Sequence, residues 1–182
     1  MGTPKALLEY RGETFLARLV RVLGAVCDPV IVVVRVGQAI LPAAGLLPGV
    51  QILINPDPDR GQLSSLQTAL EAVPIEADGF VFTPVDSPAV EPETVGLLAA
   101  AFHARTPETL IVIPRYQGRK GHPVFAARSL AAELLTLPPT AQARELVRGH
   151  VDQTLFMDVD DPGVLTDVDD PAAYRELTGS TR

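Results

Sequence analysis

The chain has 182 residues, 47% apolar and 20% charged, enough for one sizeable core; residues 1–182 therefore read as a single domain. With 22 acidic against 15 basic residues the formal net charge is -7, which disfavours a general grip on nucleic-acid phosphates and favours small-molecule or protein partners. Cys27 is the single cysteine, which excludes an intramolecular disulfide and a multi-cysteine zinc site, and no apolar run approaches the ~20 residues that span a bilayer, so the expected location is the cytoplasm.

Thr14 caps a predicted helix reaching about residue 26, because Phe15, Leu16, Leu19, Val20 and Leu23 recur at helical spacing on one face. Asp28-Pro29 stops it. The run VIVVV at 30–34 is β-branched throughout and apolar without alternation, the pattern of a strand covered on both faces. A shorter strand, QILIN, follows at 51–55, and the loop PDPDRG leads into a helix over 64–73. GFVFTPVD at 79–86 is the next strand, expected to lie centrally in the sheet and to end at Asp86.

A helix over 92–105 and a strand from 109 come next, then the turn QGRKG and a short strand or hairpin arm in GHPVFAA. Helical stretches near 129–137 and 141–149 follow. The tail carries one or two short strands over 155–169 and a last helix near Pro171, a residue suited to a first helical turn. Strands alternating with helices predict a three-layer α/β/α fold around a mostly parallel sheet. Ligands of such sheets bind beyond the carboxyl ends of the strands.

At that edge Asp86 offers a hard oxygen ligand suited to Mg²⁺, which takes one or two carboxylates and fills its shell with water and phosphate oxygens. Turn chemistry explains D-S-P equally well from position alone. In the tract Asp167-Val168-Asp169-Asp170-Pro171 an extended backbone would send Asp167 and Asp169 to one side, where either could help Asp86 hold a cation. Asp170 is better read as the cap of the last helix. The similar tract Asp158-Val159-Asp160-Asp161-Pro162 reads as a solvated turn.

Gly61-Gln62-Leu63-Ser64-Ser65 joins a loop to a helix start, where N–H groups and hydroxyls can face an anion; by itself it is an ordinary capped helix. Gly121-His122-Pro123 presents an imidazole in a loop after the basic Arg119-Lys120, and the three histidines show no metal-ligand spacing. No G-x-G-x-x-G, no G-x-x-x-x-G-K-[ST] and no G-x-S-x-G occurs, so dehydrogenase, P-loop and hydrolase readings are unsupported.

In order, these pieces resemble the MobA-like nucleotidyltransferases, most closely the molybdenum cofactor cytidylyltransferase branch. The resemblance rests on Met1-Gly2-Thr3-Pro4-Lys5, Asn55-Pro56, Gly61 to Leu66, Val85-Asp86-Ser87-Pro88, Pro114-Arg115-Tyr116 to Gly121-His122-Pro123, and Asp167 to Pro171. It covers nearly the whole chain. It implies a Rossmann-like sheet of the nucleotide-diphospho-sugar transferase type and a reaction in which a substrate phosphate attacks the α-phosphorus of an NTP and expels pyrophosphate. Lys5 would then lie against the triphosphate as a catalytic residue beside Asp86. Asn55, Gly61, Ser64 and Ser65 would line the nucleotide, and Gly121, His122 and Pro123 the acceptor. Mg²⁺ would sit on Asp86 with Asp167 or Asp169.

The implied partners are CTP or GTP, a phosphate acceptor such as molybdopterin, and a molybdoenzyme or chaperone. The family signature runs L-A-A-G-x-S-x-R-M-G-x-P-K, and this chain begins at M-G-T-P-K, so the first strand of the fold is expected to be missing through a late start codon or a real loss. The expectation that follows is a break in the sheet between VIVVV and GFVFTPVD, with weak NTP binding if the chain truly starts there. A non-catalytic remnant that binds a pterin or a protein partner is the contrasting reading; another acceptor, such as a sugar phosphate or phospholactate, is a third.

Overall fold

The computed structural model describes residues 3–37, 47–138 and 140–179. Met1 and Gly2 of the opening motif lie outside the described residues. A 3-10 turn (Lys5–Leu7) leads into a short hairpin of β1 (Glu9–Tyr10) and β2 (Glu13–Thr14), which the sequence pattern did not announce. Thr14 then caps α1 (Phe15–Gly24), its hydroxyl accepting from the Ala17 N–H at 3.1 Å. Phe15, Leu16, Leu19, Val20 and Val22 of this helix are buried, each contributing on the order of 1.5–3 kcal/mol through burial.

Strand β3 (Val30–Arg35) pairs in parallel with β4 (Val50–Asn55), and α2 (Gln62–Leu70) packs against both. β5 (Gly79–Phe82), α3 (Pro92–His103), β6 (Ile111–Tyr116), β7 (Arg119–Lys120) and β8 (Val124–Ala127) follow, then α4 (Ala131–Thr136), α5 (Arg144–Gly149), β9 (Thr154–Asp158) and α6 (Pro171–Thr178). β8 runs antiparallel between β5 and β6, and β9 pairs in parallel with the far edge of β6. β5, β6 and β9 thus share one direction and β3 and β4 are parallel to each other, while β7 and β8 run against their neighbours, giving the expected α/β architecture with a mixed, parallel-rich sheet.

The sheet is in two pieces. Among the described residues no strand joins β3 to β5, so each has a hydrogen-bonded neighbour on one side only. This corrects two expectations. GFVFTPVD is not central: its strand ends a five-stranded sheet, and only residues 79–82 are extended strand. The VIVVV run is less buried than a strand in the middle of a sheet: of those residues Val34 alone is buried, while Val30 to Val33 are partly exposed and β3 pairs on one side only. The expected break between the two strands is present.

Helix α1 holds the pieces together. Its Leu16 and Val20 pack with Val34 and with Val30, Val32 and Val50 of the small sheet, while Leu19 and Val22 pack with α3, β6 and β8. A third cluster on the opposite face joins α2 and α4 to Ile111, Ile113 and Val124. Among the described residues no helix is long and apolar enough to cross a membrane.

Candidate active site

The carboxyl end of β5 runs through Thr83-Pro84-Val85 into a turn that sets Asp86 in place, with the Ser87 N–H donating to the Pro84 carbonyl at 3.2 Å. What fixes this turn is Arg18, 4% exposed in α1: its Nε donates to the Pro88 carbonyl at 2.8 Å and its Nη2 to that of Val90 at 3.1 Å. Sequence reasoning passed over Arg18. A guanidinium at position 18 of FLARLV stands three residues after Phe15, among the apolar positions, and that is the signal that it needs buried acceptors.

The tail brings the other carboxylates. Val168 is fully buried and its N–H donates to the Asp86 carbonyl at 2.9 Å, while Asp167 and Asp169 flank it and face out. Carboxylate oxygens of Asp86, Asp167 and Asp169 all lie within 4.8 Å of one another. The alternation expected of that stretch holds, although the segment is not paired as a strand. Asp170 caps α6, its Oδ1 accepting from the N–H groups of Ala172 at 2.7 Å and Ala173 at 2.9 Å, as anticipated.

Lys5 enters from the first turn. Its Nζ donates to Asp86 Oδ2 at 2.9 Å and to Asp169 Oδ1 at 2.7 Å. Burial works against the ammonium, but the hydrogen bonds to Asp169 and Asp86 outweigh it and raise its pKa. The Asp167 carboxyl is also raised, chiefly by burial and then by the negative charges of Asp86 and Asp169.

His122 approaches from the other side. The Gly121 N–H donates to the Pro114 carbonyl at 2.9 Å and the His122 N–H to the Val164 carbonyl at 2.8 Å, so the loop is clamped between β6 and the turn Pro162–Leu165. A Cβ on residue 121 would run into the Val164 carbonyl, which is why glycine stands there. Burial lowers the His122 pKa, with the Asp86 charge pulling the other way, and Nδ1 is buried without a hydrogen-bond partner among the described residues.

At the end of β4 the side chain of Asn55, 1% exposed, donates from Nδ2 to Ser64 Oγ at 2.8 Å and Ser65 Oγ at 3.0 Å and accepts from the Asp57 N–H at 2.9 Å. Gly61 precedes α2 with φ 86, a left-handed conformation that favours glycine. The Ser64 hydroxyl in turn donates to the carbonyls of Gly61 at 2.8 Å and Asp57 at 3.1 Å, so Asn55, Asp57, Gly61, Ser64 and Ser65 form one knot, in which Asn55 is spent on holding the serines.

The first acidic tract departs from its reading as a solvated turn. Asp161 is 5% exposed, and its two carboxylate oxygens accept from the Gly163 N–H at 2.8 Å and the Glu91 N–H at 2.9 Å, the latter at the start of α3. Asp158 forms a two-point pair with Arg115 at 2.7 and 2.8 Å. Both were drawn inward or across strands by partners far away in sequence.

A profile of the family described as MobA-like NTP transferase domain matches residues 1–154. Among solved structures, that of Rv0371c from Mycobacterium tuberculosis H37Rv is similar with a TM-score of 0.81 and 30% identity, over 100% of this chain and 92% of that one. A complex of Rv0371C with manganese gives 0.80 and 31%, over 98% and 94%. Molybdopterin-guanine dinucleotide biosynthesis protein A from Archaeoglobus fulgidus has a TM-score of 0.63 and 14% identity, over 98% and 90%, a likeness of fold. No curated protein matches the chain.

Proposed function

The chain belongs to the MobA-like NTP transferase family, whose chemistry is nucleotidyl transfer, and on that premise we propose that it transfers CMP, or else GMP, from the NTP to the phosphate of a pterin-type acceptor such as molybdopterin. The observation that carries this reading is the convergence of Asp86, Asp167, Asp169 and Lys5 from both ends of the chain on one point beyond β5.

Three hard carboxylates with oxygens this close fit a divalent cation such as Mg²⁺ or Mn²⁺, which Asp86 would hold together with Asp167 and Asp169. Bound there, the ion would neutralise charge on the phosphate oxygens. The acceptor phosphate is itself the nucleophile, so the protein has to align it with the α-phosphorus and relieve negative charge. Lys5 supplies a compact, strongly hydrated positive charge on a flexible stem for the triphosphate. Ser65, held by Asn55, faces the nucleotide at the start of α2, while the buried Ser64 hydroxyl, donating to the carbonyls of Asp57 and Gly61, braces the loop before it. His122, whose pKa burial lowers against the pull of the Asp86 charge, belongs to the loop that would face the acceptor.

The test is incubation of the chain with molybdopterin, Mg²⁺ and each NTP in turn, following pyrophosphate release and the dinucleotide product. CTP-dependent release is the expected outcome, with GTP next. Release with another phosphate acceptor alone would move the assignment of the acceptor, and no release with any NTP would remove the enzyme reading.

A further inference from the structure

We infer that the Lys5 ammonium, which bridges Asp86 and Asp169, competes with a divalent cation for those carboxylates, so that a bound cation would displace it and free it for the nucleotide's phosphates. The inference rests on the metal-dependent reading above and adds to it a competition within the site.

The geometry points this way for three reasons. The ammonium touches an oxygen of Asp86 and an oxygen of Asp169, at 2.9 and 2.7 Å, and these belong to the same cluster whose ligand atoms lie within 4.8 Å of one another. A divalent ion held by those carboxylates would draw on the same two residues that Nζ now contacts, and two positive charges so close together would repel. Second, one ammonium does not complete the set: the Asp167 carboxylate, within 4.8 Å of the other two, accepts no hydrogen bond among the described residues. Third, only the side chain needs to move. The backbone of Lys5 is held by the turn in which the Leu7 N–H donates to the Pro4 carbonyl at 2.9 Å and the Leu8 N–H to that of Lys5 at 3.0 Å.

The consequence is a linked order of events. Lys5 lowers the metal affinity of the free protein, because only the fraction of molecules with Lys5 swung away is competent to bind. Nucleotide phosphates draw the ammonium off and so favour cation entry. One residue thereby serves as counter-ion to the carboxylates before the cation binds and as a phosphate ligand afterwards.

The experiment titrates the full chain with Mn²⁺ alone, without nucleotide, reading free Mn²⁺ by electron paramagnetic resonance. Wild type is compared with Lys5→Met and with Arg148→Gln, an exposed cation on α5 whose loss controls for net charge. The expected result is a dissociation constant about tenfold lower in Lys5→Met and unchanged in Arg148→Gln. In parallel, the ¹⁵N-detected ammonium signal of Lys5 in the wild type should lose its hydrogen-bonded shift as Mg²⁺ is added, a readout that stands even where the Met variant folds poorly. Equal Mn²⁺ affinity in all three proteins, or an unmoved Lys5 signal at saturating Mg²⁺, overturns the competition and leaves the metal site standing. Absence of Mn²⁺ binding in wild type and Lys5→Met alike overturns the metal reading and this inference with it.

Discussion

The N–H of Val168 donates to the carbonyl of Asp86 at 2.9 Å, across more than eighty positions of chain, and this single backbone bond stitches the acidic tail to the end of β5. Because it uses main-chain atoms, the side chains on either side remain available for chemistry. It also means that substitutions of the carboxylates can remove function without unpicking the site.

Replacing Asp86 with Asn is therefore expected to leave folding intact while turnover falls by ~100-fold or more, the order seen when a preorganised charge partner of a transition state is lost. The Mg²⁺ concentration for half activity should rise in parallel. An unchanged metal-dependence curve would place the cation on Asp167 and Asp169 instead.

Arg18→Ala should be among the most damaging single changes outside the acidic cluster. It strips the Pro88 and Val90 carbonyls of buried donors and removes a charge-assisted contact to Glu91 at 3.4 Å. A loss of about 2–4 kcal/mol in urea unfolding is expected, with a fall in turnover because the Asp86 loop is set by this residue. Lysine should not rescue it, since one ammonium cannot reproduce the forked reach to both carbonyls.

Asp161→Ala would leave the Glu91 and Gly163 N–H groups without an acceptor in a buried place. Denaturant titration should show a cost of about 1–3 kcal/mol, with Asn recovering part of it. A neutral result would mean that the carboxylate is a solvated turn group after all.

His150 makes a pH-dependent contribution. Its Nδ1 lies 2.8 Å from Gln153 Oε1 and its Nε2 2.7 Å from Glu133 Oε2, so both nitrogens face acceptors and the imidazolium is the form that suits them. The hydrogen bond to Gln153, then that to Glu133, raises the pKa above its ordinary value. A raised histidine stabilises the fold fully below its unfolded pKa of about 6.5, and the contribution is lost as pH climbs through the raised value. The stability difference between wild type and His150→Leu should accordingly shrink from pH 6 to pH 8. Solvent screening at the half-exposed Glu133 keeps the whole effect near 0.5–1 kcal/mol.

Gly121→Ala tests the acceptor side. The added methyl meets the Val164 carbonyl, so the loop bearing His122 has to shift. Turnover is expected to fall ~10-fold through misplacement, with KM rising for the acceptor and not for the NTP. A rise confined to the NTP would assign this loop to the other substrate.

Local chemistry made much of this protein legible in the sequence. Helical spacing with Thr14 as cap marked α1, the β-branched run marked β3, Asp170-Pro171 marked the start of α6, and the alternation about Val168 put Asp167 and Asp169 on one side. Each signal is carried by residues a few positions apart, where backbone geometry and side-chain period decide the outcome. The family resemblance also led to an expected break in the sheet between β3 and β5, and among the described residues no strand joins the two.

What only the tertiary structure decided depends on partners distant in the chain. Nothing near Asp161 in sequence says that the Glu91 N–H will need it, and nothing near Lys5 says that its ammonium will rest between carboxylates at positions 86 and 169. The openness of β3 belongs here too: five apolar β-branched residues state that the strand prefers cover on both faces, but whether a neighbour stands at each edge is settled by the strand order, which places none between β3 and β5 among the described residues. Burial and pairing are properties of the assembled chain, because the desolvation of a charge and the satisfaction of a backbone group are fixed by whatever the fold brings alongside.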